Sequence, residues 1–113
     1  MRGSVEVQLK KYADAISDLN RVLAAQTNNY GAIFDRAVAN LQSGKLDAAH
    51  ADYETLQQNF TNSFPVAYGL GEIAYRRHET NEAIRNYEIY LANANTNTDE
   101  AKGIAERLHE LKK

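Results

Sequence analysis

Three histidines, one glycine-containing hexapeptide, one arginine pair and one Asn-x-Thr triplet carry whatever chemistry residue type and spacing can suggest. His50, His78 and His109 are candidate metal ligands or proton carriers, but no two stand four residues apart, the spacing that puts two imidazoles on one helical face. They read as solvated surface residues. Gly69-Leu70-Gly71-Glu72-Ile73-Ala74 has the glycine spacing of a dinucleotide-binding turn. That chemistry needs a preceding strand and a turn aiming N–H groups at a pyrophosphate. Pro65 to Tyr68 reads as helix already, so Gly71 is assigned to helix packing.

Arg76-Arg77 falls near a helix C-terminus, and Glu79 and Glu82 near a helix start, where each charge favours the helix dipole. Asn59-Phe60-Thr61 fits the N-glycosylation pattern and reads as coincidence in an asparagine-rich chain. No Ser/His/Asp set, phosphate loop or carboxylate pair in a cleft can be argued. The chain has no cysteine, so it has no thiol nucleophile, disulfide or thiolate metal site. The expectation is a non-enzymatic protein with no cofactor and no metal.

The elements that position these residues follow from one stride. Ala15, Ala49 and Ala83 stand 34 residues apart, and so do Gly3, Ala37, Gly71 and Ala105. A fixed stride of this length is the mark of stacked repeats. One proline, six glycines and few β-branched runs predict long helices, hence an all-α fold. In the central unit Ile33, Ala37, Asn40 and Leu41 share one helical face; Gly44 stops that helix; Leu46, Ala49, Tyr53 and Leu56 face inward from a second. The third unit repeats this. Ser63 and Pro65 start a helix carrying Ala67, Leu70, Gly71, Ala74 and Tyr75; Thr80 is expected to cap the next, carrying Ala83, Ile84, Tyr87, Tyr90 and Leu91. A closing helix from Thr98 should bury Ala101, Ile104, Ala105, Leu108 and Leu111 and solvate Lys102, Glu106, Glu110 and Lys113.

Residues 1–29 read as a partial unit, 30–63 and 64–97 as complete units, and 98–113 as a C-terminal capping helix. In the partial unit Val5, Val7 and Leu9 would end a leading helix, Lys10-Lys11 would turn, and Tyr12, Ala15, Ile16, Leu19, Val22 and Leu23 would carry the second helix. Met1-Arg2-Gly3-Ser4 begins inside the repeat, so the chain is read as a fragment of a longer protein.

The pattern resembles the tetratricopeptide repeat family. The third unit carries Ala67-x₂-Leu70-Gly71-x₂-Ala74 and then Ala83-x₃-Tyr87; the second carries Ile33-x₂-Arg36-Ala37-x₂-Asn40 and then Ala49-x₃-Tyr53. No unit has the family's tryptophan or terminal proline, and Thr27 and Thr61 stand where prolines are expected. The resemblance implies an α-α superhelix, a solenoid of antiparallel helical hairpins that holds a protein or peptide in a concave groove. It also implies that the groove is lined by the first helix of each pair, on the side away from the Gly/Ala seam. Those positions are Phe34, Asp35, Val38 and Gln42, then Tyr68, Glu72, Tyr75 and Arg76, with Lys102 and Glu106 beyond. Tyr68 is expected to be exposed, whereas Tyr75 suits a groove or a core equally.

Some members of that family clamp C-terminal carboxylates with lysine, arginine and asparagine. Asp35, Val38 and Glu72 argue against that mode and for a partner with basic residues flanking an apolar segment. A formal net charge of −2 and a groove with three acids to two bases, hence no basic stripe, argue against nucleic acid. No run approaches the roughly 20 apolar residues of a membrane span. The alternative reading is self-association into a homodimer, with Ile16, Leu19, Val22 and Leu23 of the incomplete hairpin covered by another copy.

Overall fold

The computed structural model describes residues 2–113, with side chains from Val7 onward. These residues form six α-helices and no strand: α1 (Arg2–Ala25), α2 (Tyr30–Gln42), α3 (Leu46–Asn59), α4 (Phe64–Arg76), α5 (Thr80–Asn93) and α6 (Asp99–Leu111). The chain divides into two compact units, Met1–Leu56 and Gln57–Lys113.

The stride seen in the residue types recurs in the backbone. α4 and α5 begin and end 34 residues after α2 and α3. The α2–α3 turn is closed by Ser43 N–H to Ala39 O, Gly44 N–H to Leu41 O and Lys45 N–H to Asn40 O. Each bond reappears one stride on, from Arg77 to Ile73, His78 to Tyr75 and Glu79 to Ala74. Both turns need a left-handed residue at their centre, supplied by Gly44 (φ 83°) and by His78 (φ 61°).

Small residues let each pair of helices approach. Ala37, Ala49 and Ala83 are fully buried, as are the rings of Tyr53 and Tyr87 beside them. At Gly71 a Cβ would lie 2.6 Å from Cε1 of Tyr87, so the tyrosine ring occupies the space a side chain would need. A buried ring of this kind removes on the order of 150–250 Å² from water, and it is available only where the facing backbone is bare. In the second unit this seam continues into a core of Ala67, Ala74, Tyr90, Ala101, Ile104 and Leu108.

Three expectations about the elements are corrected. Lys10-Lys11 does not turn, because α1 runs unbroken from Arg2 to Ala25. The α2–α3 and α4–α5 turns place glycine or histidine at positive φ, whereas Lys10, which stands one stride before Gly44, suits a helix interior. Thr80 is the first helical residue of α5, and its cap position belongs to Glu79, which makes no side-chain capping bond. Ser63 does occupy the cap position of α4 ahead of Pro65, as the sequence predicts, though without a side-chain bond. Ala105 is exposed although Ala101, Ile104 and Leu108 are buried, since no helix among the described residues packs on that side of α6. The readings placed on Gly3 and Val5 fall outside the residues whose side chains are described.

Two caps do close through side chains. Asn29 Oδ1 accepts from Ala32 N–H at 3.0 Å at the start of α2. Thr98 Oγ1 accepts from Ala101 N–H at 3.1 Å at the start of α6. Each satisfies an N–H that the first helical turn leaves without an internal partner.

Candidate functional site

In the second unit α4 is buried around most of its circumference, through Val66, Ala67, Gly69, Leu70, Gly71, Ile73 and Ala74. At 100° per residue, the strip left accessible holds Phe64, Pro65, Tyr68, Glu72, Tyr75 and Arg76. Four of these are the expected groove positions of this helix. The strip borders the Gly71 seam instead of lying opposite it, and that shift brings Glu72 within reach of α5 and α6.

Glu72 is engaged inside the protein. Its Oε1 accepts from the Tyr87 hydroxyl at 2.7 Å and from Arg107 Nη1 at 2.6 Å. Arg107 Nη1 also donates to the Tyr87 oxygen at 3.1 Å. The Glu72 side chain is only 13% exposed, so this carboxylate is spent on joining α4, α5 and α6. Burial pushes the Tyr87 phenol up, against the hydrogen bond from Arg107, and the Arg107 guanidinium is raised chiefly by its hydrogen bond to Tyr87. Sequence reading missed Arg107. The available signal was its place three residues after Ile104 and next to Leu108, at the edge of the buried stripe.

Tyr75 resolves to the surface, with 40% of its area exposed. The Arg107 guanidinium carbon lies 4.1 Å from its ring centroid, a cation–π contact that holds one face of the ring. Tyr68 is half-buried, not exposed as expected, because its ring leans on Tyr90 with centroids 5.8 Å apart. Its phenol is raised by burial first and then by the carboxylates of Glu72 and Glu100. Phe64 stands edge-on to the same Tyr90 at 6.0 Å and is 42% exposed. The Tyr90 hydroxyl donates to Glu100 Oε1 at 2.7 Å, and burial pushes that phenol up to about 12. Arg76, Lys102 and Glu106 are exposed.

One end of the strip opens into a cavity of about 290 Å³ at the α4–α5 turn. Ala74, Ala83 and Leu111 give it an apolar floor, Tyr75 a wall, and Glu79, Thr80 and His78 a polar rim.

In the first unit the corresponding positions separate. Asp35 and Gln42 are exposed and Val38 is half-buried. Phe34 packs edge-on against Tyr53, centroids 6.2 Å apart, so part of its ring belongs to the hairpin's interior. Arg36 donates from Nε and Nη2 to both carboxylate oxygens of Asp52, at 2.8 and 2.7 Å, and from Nη1 to Asn20 Oδ1 at 2.9 Å. Its guanidinium is raised chiefly by the bond to Asp52. The four self-association residues also divide. Leu23 is buried, Ile16 and Leu19 are half-buried, and Val22 is exposed. Leu23 therefore leaves that set.

Among the described residues no cluster of three or more His, Cys, Asp or Glu could hold a metal ion. No described helix is long and apolar enough to cross a membrane. No family model matches the chain, and neither a curated protein nor a solved structure matches it.

Proposed function

We propose that the chain is a tetratricopeptide-type solenoid segment that binds a protein or peptide and performs no catalysis. The fold part of this reading is supported by the recurrence of helix ends, turn bonds and left-handed turn residues at one stride. The binding part is carried by one observation: the accessible strip of α4 leads past Tyr68 to a cavity with an aromatic wall and an apolar floor. Partly exposed tyrosines offer broad apolar contact at low entropic cost, as interface anchors do.

The ligand this arrangement suits is an extended or helical segment that places one aliphatic side chain in the cavity and a basic residue beside it. Glu79 at the rim supplies the acid, since Glu72 is already committed to Arg107. A guanidinium or ammonium group there meets a carboxylate at the edge of an apolar surface, where water screening is reduced.

The test uses two labelled peptide series, one presenting leucine flanked by arginine or lysine, the other leucine flanked by glutamate. The basic series is expected to bind, and Tyr75→Ala to weaken it about tenfold, the scale of an interface anchor. Equal binding of both series, or basic-series binding unaffected by Tyr75→Ala and Tyr68→Ala with the helical spectrum intact, would overturn the reading.

A further inference from the structure

The two ends of the accessible strip on α4 are built alike. Toward the cavity, Glu72 Oε1 accepts from the hydroxyl of buried Tyr87 at 2.7 Å and from Arg107, whose guanidinium also lies over the exposed ring of Tyr75. At the far end Glu100 Oε1 accepts from the hydroxyl of buried Tyr90, likewise at 2.7 Å. Two accessible rings, Phe64 and Tyr68, rest against that same Tyr90. Acid, buried phenol and accessible ring recur. The arginine does not, for among the described residues no cation pairs with Glu100.

The charges at this end favour a cation from outside. Glu100 is exposed in the first turn of α6, where Asp99 adds a second carboxylate. Lys102, the nearest base in sequence, leaves the helix 200° round from Glu100 and so on the other side. Arg107 is held by Glu72. The Tyr68 phenol registers the balance: after burial, Glu72 and Glu100 raise it, ahead of Arg107 and Arg76, which lower it.

We infer that Phe64, Tyr68 and Glu100 form a second subsite of the groove, which takes the guanidinium of an arginine in the bound segment. The inference rests on the peptide-binding reading and adds a length to it. A planar guanidinium stacks on an accessible ring while its N–H groups reach the Glu100 carboxylate, as Arg107 does with Tyr75 and Glu72. An ammonium group cannot do both so well, hence arginine over lysine. Glu100 and Leu111, which lies on the cavity floor, are 11 residues apart on α6, about 16 Å along its axis. An extended segment covers that span in about five residues and a helix in about eleven. The partner is therefore a segment whose aliphatic anchor and far arginine are separated by one of these intervals.

The test uses the full chain and a fluorescein-labelled serine/alanine peptide carrying one leucine–arginine pair. A second arginine is added at three to twelve residues from the leucine, on either side. The pair alone is expected to bind, and the second arginine to tighten binding about fivefold at an interval near five or near eleven, lysine giving less. Glu100→Gln, whose amide oxygen still accepts from Tyr90, should abolish the gain and leave the single-arginine peptide unaffected. Phe64→Leu should reduce the gain. If the leucine–arginine pair does not bind at all, the peptide-binding reading falls and the subsite with it. If the pair binds but the second arginine gives no gain, a gain at every interval alike, or a gain that survives Glu100→Gln, the second subsite alone is overturned.

Discussion

In the α2–α3 hairpin, Arg36 grips both oxygens of Asp52 and reaches Asn20 on α1. One stride later the same two positions hold Leu70 and Asn86, both buried, with no ion pair between them. Asn86 instead donates to Glu82 O at 3.0 Å within its own helix. The second unit sets its charge elsewhere, in the Glu72–Arg107–Tyr87 group that links α4, α5 and α6. The backbone plan thus tolerates two solutions at one contact, a bidentate ion pair or an apolar side chain beside an amide that bonds Glu82 O and Gln57 Nε2. What is preserved between the hairpins is small size at the seam and a left-handed residue at the turn, because backbone approach and chain reversal leave no substitute.

The largest test of this equivalence is at the ion pair. Arg36→Leu strands a carboxylate whose side chain is 9% exposed, and is expected to cost about 3 kcal/mol, the lower end for breaking a buried pair. Adding Asp52→Asn imports most of the other hairpin's solution, since the amide at 52 can donate to the carbonyl four residues back, although Leu23 stands where Gln57 donates to Asn86. Urea titration should then show most of the loss recovered, a coupling of about 2 kcal/mol between neighbouring sites. If the double variant is as unstable as the single one, the two hairpins are not interchangeable at this contact.

The seam gives a smaller and asymmetric effect. Gly71→Ala gains about 1 kcal/mol of helix propensity but drives a methyl into the Tyr87 ring, which cannot swing aside while its hydroxyl is held. Overpacking of this kind costs about 1–3 kcal/mol, so a net loss of up to about 2 kcal/mol is expected. In the first unit Ala37→Gly meets no clash, and loses about 1 kcal/mol of helix propensity and about 1 kcal/mol more with its buried methyl. Denaturant midpoints decide the matter, and a stabilised Gly71→Ala would show that the ring yields.

How much of this was legible in the sequence divides along the same line. Apolar spacing announced the helices, and the alanine and glycine ladders announced the seam, because size and periodicity are local properties of the residues. The polar network was not legible. Arg36 stands where the third unit has Leu70, and its role is plain only with Asp52 opposite it, 16 residues away. Glu72 looked like a groove acid, and only the position of Arg107, 35 residues on, shows it to be internal. A side chain's partner depends on tertiary register, which the type of one residue does not encode. α1 misled for a related reason. The spacing demanded a turn at Lys10, but a turn needs a residue that accepts positive φ, and helix propensity prevailed where none was supplied.

The turn itself supplies the smallest test. Gly44 adopts φ 83° and pays nothing for it, whereas His78 holds φ 61° with a Cβ pressed toward its own backbone. The hydrogen bonds around both residues are the same, so the difference between them is intrinsic conformational strain. His78→Gly should therefore stabilise the protein, by about 0.5–1 kcal/mol after the added freedom of glycine in the unfolded chain is subtracted from the strain relieved. Gly44→Ala should destabilise it by about 1 kcal/mol, since no contact near that Cβ offsets the strain. Thermal melts of the two variants should shift in opposite directions. A destabilised His78→Gly would mean that the imidazole, which lines the cavity rim beside Glu79 and Thr80, contributes more through its surroundings than its backbone costs.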